Sequence, residues 1–175
     1  MKRLTLLVVL ASALQLAAQT ASVVPYGSGC GPVLKWTGLP RLGQNFTLIY
    51  SGPNSYFESH GVAYIDRPVL LLGVSDQRIG TTPLPLLLPT SITNGVPGCL
   101  VLQSTDLAIL MPYQAPFPPT KFESQAVLTI PNDAGLLGLP FFAQWMNWHR
   151  ERQAIFLPWI DWIHLSAAIR ATVGV

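Results

Sequence analysis

Proline and glycine punctuate this chain from end to end. Sixteen prolines and fourteen glycines are spread over 175 residues. A proline inside a helix removes a hydrogen bond and clashes with the preceding turn, so this spacing opposes long helices. It favours short strands joined by turns. Half of the residues are hydrophobic, which opposes disorder. A chain of this length is expected to form one domain with its own core.

Residues 44–51 (QNFTLIYS) alternate, with Phe46, Leu48 and Tyr50 on one face and Asn45, Thr47 and Ser51 on the other. That is the pattern of a half-buried antiparallel strand. Residues 122–130 alternate likewise, with Phe122, Ser124, Ala126, Leu128 and Ile130 on one face. Further strand candidates lie at 33–37, at 62–74 as one or two strands, at 99–111 as two short strands about residues 103–106, and at 166–175, with Pro68 expected at an edge or bend. The segment 83–89 (PLPLLLP) reads as an edge strand, 19–32 as an irregular lead-in, and 112–119 as a proline-rich crossing.

The most aromatic candidate lies within residues 130–148 (IPNDAGLLGLPFFAQWMNW). Pro131 to Gly135 is turn chemistry. After Pro140, an extended chain puts Phe141, Ala143, Trp145 and Asn147 on one face and Phe142, Gln144, Met146 and Trp148 on the other. Both faces carry large apolar groups, so a central strand covered on both sides is expected. Residues 149–153 (HRERQ) read as a hairpin tip, with 154–157 and 160–165 able to pair back. Residues 158–163 also fit one helical turn. Strands at this spacing, with turns between, predict an all-β fold: an antiparallel two-sheet β-sandwich, jelly-roll-like.

The N-terminus reads as a signal peptide. Lys2 and Arg3 precede an apolar run from Leu4 to Leu16, which is short for a membrane span. Small residues follow, and cleavage is expected after Ala18, with Ala21 as the alternative. This leaves residues 19–175 as a single β-sandwich domain. An uncleaved N-terminal anchor is the competing reading. The whole chain has 10 Lys and Arg and 8 Asp and Glu, so losing Lys2 and Arg3 leaves eight of each. Such a balance argues against nucleic acid or an anionic membrane surface as partner. It also leaves little repulsion between copies, so self-association is easy.

Two cysteines, Cys30 and Cys99, remain. In an exported chain an isolated pair most simply forms one disulfide. It would close a loop of about 70 residues, worth roughly 4 kcal/mol in the chain-entropy account. Two buried thiols are the alternative. A metal site finds no support in the spacing around either cysteine.

Several short motifs occur in a familiar order. Tyr26 to Cys30 reads YGSGC, followed by Gly38-Leu39-Pro40, Leu42-Gly43 and Phe46-Thr47-Leu48. Leu71 to Ser75 (LLGVS), Pro83 to Leu86 (PLPL) and Pro97-Gly98-Cys99 come next, then Ile130 to Gln144 and Ala168 to Gly174. In this the chain resembles a secreted β-sandwich module common in extracellular proteins of planctomycetes and similar bacteria. The resemblance spans nearly all of the chain after the leader. It implies a sandwich fold, a two-cysteine bridge and no catalytic residues. Residues 145–164 depart from it, being richer in Trp and charge than that module.

Chemistry-bearing motifs are sparse. The chain holds no Gly-x-Ser-x-Gly, no His-Glu-x-x-His, no phosphate loop and no EF-hand loop. His60, His149 and His164 lie far apart in sequence. His149 and His164 could meet across a hairpin near Glu151 or Asp161, but no ligand spacing supports a metal, and neither cofactor nor catalytic residue is expected. Four of five tryptophans fall between 145 and 162. Filling the core is one reading of them. A second is carbohydrate binding through Trp148, Trp159, Trp162 and Asp161, with Gln144 or Asn147 bonding sugar hydroxyls, and a third is an apolar patch for another copy of the protein. The leading expectation is a secreted, non-catalytic protein with a structural or adhesive role at the cell surface or in extracellular matrix. Its expected partners are copies of itself, other extracellular proteins or glycans.

Overall fold

The computed structural model describes residues 19–53, 56–59, 62–112, 122–154 and 156–175. The expected leader at 1–18, His60 and most of the proline-rich crossing lie outside the described residues. The chain runs through β1 (Ser22–Tyr26), β2 (Val33–Thr37), β3 (Asn45–Gly52), β4 (Tyr56–Ser59), β5 (Val62–Gly73), β6 (Arg78–Ile79) and β7 (Thr82–Pro83). It continues through β8 (Leu86–Leu87), β9 (Leu100–Val101), β10 (Leu107–Leu110), β11 (Phe122–Thr129), β12 (Pro140–Arg152) and β13 (Ile160–Thr172). Every strand pair is antiparallel. The fold is all-β.

Two sheets make the sandwich. The larger runs β1-β13-β12-β5, with β10 and β4 both along the outer side of β5; the smaller runs β11-β3-β2. Alternation in the sequence decides which faces meet. Phe46, Leu48 and Tyr50 of β3 are fully buried against Leu70, Ala143, Trp145, Ile169 and Ala171 of the larger sheet. The ring of Tyr50 meets Trp145 edge-on at 5.6 Å. Burying rings and branched chains between two sheets is the main favourable term in such a fold.

The larger sheet is covered on its outer face as well. Val69, Leu71 and Leu165 form a second cluster there, with Leu88, Val101 and Met146 packed on it. The covering layer is the segment holding β6 to β9. Gln144 reaches into it: its Nε2 donates to the carbonyls of Leu100 and Ser166, both at 2.8 Å, and its Oε1 accepts from Leu102 N at 3.2 Å. The Cys30–Cys99 disulfide, Cα to Cα 5.0 Å, closes the same layer. Cys30 N also donates to the Leu165 carbonyl at 2.8 Å. The bridge therefore pins the layer to β13. Strand β12 lies between β13 and β5 with both faces covered, as the sequence predicts.

Four expectations change. The lead-in contains β1, which pairs with β13 from Ser22–Thr172 to Tyr26–Ala168. Pro68 sits inside the single strand β5, where the outer neighbour changes from β4 to β10, and not at an edge or bend. Segment 83–89 is divided between β7 and β8. The residues 160–163 offered as a helical turn are extended in β13. That strand is continuous to Thr172, its register shifting opposite Trp145, where Ser166 Oγ accepts from Trp145 N at 2.9 Å.

Candidate functional site

Strands β12 and β13 extend together beyond the core, and β5 runs beside them. Register decides what the projecting ribbon presents. Trp148 pairs with Arg67 and Ile163, His149 with Asp66 and Trp162, and Arg150 with Ile65 and Asp161. Directly opposed residues share a face, and successive residues alternate. The charged and aromatic residues are thus sorted onto two faces.

On the outer face, Trp148 Nε1 donates to Asp161 Oδ1 at 3.1 Å, and Arg150 Nε lies 3.3 Å from the same oxygen. The guanidinium carbons of Arg150 and Arg152 sit 5.1 and 5.0 Å from the centre of the Trp159 ring. These are cation–π distances. Ile65, Arg67, Trp148 and Arg150 line a cavity of about 200 Å³.

The inner face is a half-enclosed polar cluster. Asn147 Nδ2 donates to Asp66 Oδ1 at 2.9 Å, and His149 Nδ1 lies 2.8 Å from that same atom. His149 Nε2 is 3.5 Å from Glu151 Oε2, and the imidazole stacks on Trp162 at 4.4 Å. Burial opposes the charge on His149, but the hydrogen bond and attraction of Asp66, then of Glu151, outweigh it and hold its pKa above the ordinary value. Each ring nitrogen faces a carboxylate. Both carboxylates favour the protonated ring, which when charged bridges the two acids. Burial first, then the Asp66 charge, pushes the Tyr50 phenol up, and its hydroxyl donates to the Pro53 carbonyl.

The residues expected from the sequence are only partly brought together. Trp148, Trp159 and Asp161 gather on the outer face. Trp162 lies on the opposite face against His149, because it is one residue out of phase with Asp161. Gln144 and Asn147 are 0% and 2% exposed and are committed to internal hydrogen bonds, so neither is available to a sugar. Trp145 belongs to the core. His164 Nε2 stands 3.2 Å from the Thr93 carbonyl, away from the carboxylate pair held by His149. Among the described residues no group of three or more His, Cys, Asp or Glu could hold a metal ion.

Two features escape the motif search. The ribbon ends in a tip described at residues 153–154 and 156–159, where Phe156 is 96% exposed and Leu157 52%. At the opposite end of the sandwich an open apolar groove of about 280 Å³ lies between the sheets. Leu72, Val74, Leu107, Leu128, Ile130 and Phe141 line it. Asp106 stands at its rim, where the Ser104 hydroxyl and Val74 N–H hold its carboxyl below the ordinary range. The tip was legible as the run Phe156-Leu157-Pro158-Trp159 between charged strands. The groove has no local signature, since four separate segments build it. No family model, no curated protein and no solved structure matches the chain.

Proposed function

We propose that the protein is an exported, non-catalytic sandwich with a structural or adhesive role at the cell surface or in extracellular matrix, and that it associates with copies of itself. The observation that carries this reading is the edge of the larger sheet. Strand β10 (Leu107-Ala108-Ile109-Leu110) holds neither charge nor proline, and its Leu107 and Leu110 are 53% and 47% exposed. Monomeric proteins blunt such edges with charge, proline or a bulge. Export is supported by the leader pattern and by a disulfide, which oxidising compartments favour. No helix among the described residues is long and apolar enough to cross a membrane. Carbohydrate binding has less support, since Trp162 stands apart from Trp148 and Trp159 and guanidinium groups lie over the Trp159 ring.

Fractionation of producing cells tests the reading. Recovery of the protein in the extracellular or surface fraction as high-mass assemblies is the expected result. Recovery as a cytoplasmic monomer contradicts it.

A further inference from the structure

A contiguous exposed apolar patch marks a contact surface, which a single exposed apolar residue does not. Phe156 is the most exposed large hydrophobic residue described, and Leu157 and Ile160 beside it are 52% and 47% exposed. The ribbon beneath them is braced by the Trp148–Asp161 and Arg150–Asp161 contacts and by the His149–Trp162 stack. Stiffness at the base holds the apolar tip outward and away from its own core.

The groove at the other end has the complementary character. It is lined by aliphatic and aromatic side chains, and Leu107 and Val74 at its mouth are 53% and 72% exposed. Its volume of about 280 Å³ admits a phenyl ring, given that an apolar cavity of about 150 Å³ takes up benzene. Phe141, at the groove, and Arg152, at the base of the tip, lie at opposite ends of β12, one residue inside its start and at its last residue. Eleven residues of strand separate them by roughly 35 Å at about 3.3 Å per residue. The chain cannot fold its tip into its own groove.

We infer that the apolar tip at Phe156 and Leu157 of one copy inserts into the inter-sheet groove between Leu107 and Phe141 of the next. The inference rests on the self-association proposed above and names the two surfaces that carry it. A knob and a hole at opposite ends make a heterologous contact, which repeats head to tail into an open chain of copies unless the rotation closes a ring. The balanced charge of the exported chain leaves this contact to apolar burial, so raised salt does not dissolve it.

Light scattering of the exported protein with its disulfide formed tests this, using Phe156→Asp to remove the knob and Leu107→Glu to close the hole. Both positions are exposed, and an unchanged circular dichroism spectrum and thermal midpoint verify folding. Each variant alone is expected to stay monomeric at concentrations roughly tenfold above those at which the parent assembles. Mixed together they are expected to form a dimer that grows no further, because one supplies the only intact tip and the other the only intact groove. Variants that still assemble overturn the knob-and-hole contact and leave self-association standing. A parent that is monomeric at high concentration overturns both. A mixture that forms no dimer overturns the pairing of these two surfaces. A monomeric parent that sediments with phosphatidylcholine vesicles through Phe156 overturns it in favour of a lipid surface.

Discussion

Gln144 is the side chain from which the outer layer hangs, and replacing it with Leu is the sharpest test of that layer. The change keeps a similar volume and removes all three hydrogen bonds that tie residues 100–102 and 166 to β12. Each such bond contributes about 0.5–1.5 kcal/mol net, and each backbone group left buried without a partner costs about 1–3 kcal/mol. The bond to the Leu100 carbonyl is only part-buried, so water can replace it. That leaves the Leu102 N–H and the Ser166 carbonyl orphaned. Allowing about 1 kcal/mol back for the more apolar side chain, the net loss is about 1–5 kcal/mol. For a domain of this size each kcal/mol lowers Tm by about 2–4 °C, so a fall of about 2–20 °C is expected. Urea and thermal unfolding followed by far-ultraviolet circular dichroism, with the disulfide intact, measure it. A loss below about 1 kcal/mol would refute the claim that Gln144 fastens the layer.

Replacing both Cys30 and Cys99 with Ser opens a loop with a sequence separation of 69 residues. A cost of roughly 4 kcal/mol is expected in urea unfolding, and an unchanged midpoint contradicts it. Asp66 and Glu151 raise the His149 pKa above the unfolded value of about 6.5. The stability this adds is complete below that value and is lost as pH rises through the folded pKa. Urea midpoints should therefore fall from mildly acid to alkaline pH, and His149→Gln should flatten the fall; an equal fall in the variant assigns it to other groups. Lys35 and Glu123 form a 2.6 Å ion pair whose side chains are 51% and 49% exposed. Lys35→Ala should change stability by less than about 0.5 kcal/mol, and a loss several times larger in urea unfolding contradicts that.

The period-two signal made most of the sandwich legible. Phe46, Leu48 and Tyr50 turn inward together, as do Ser124, Ala126 and Ile130. The aromatic segment after Pro140 is the covered central strand. What stayed hidden depends on register, which no local pattern encodes. The charged run 149–153 reads as a tip, yet residues 149–152 lie in β12, with His149, Arg150 and Glu151 paired across to Trp162, Asp161 and Ile160, and the turn lies beyond. That displacement phases Trp162 onto the inner face and separates it from Trp148 and Trp159. Gln144 and Asn147 read as exposed hydrogen-bonding groups because both are polar. Their burial follows from the covering layer and from Asp66, which pairs with His149 only through β5. Pro68 reads as an edge or bend, and the strand holds it inside because its outer neighbour changes there. The disulfide followed from the count of two cysteines, whereas its partner surface on β13 did not.

Self-association of the sandwich is the claim on which the functional account turns. Multi-angle light scattering across a concentration series, on protein with its disulfide formed, measures it most directly. The account predicts a mass that rises with concentration in steps of one copy and persists in high salt. A constant monomer mass over the whole series would contradict it.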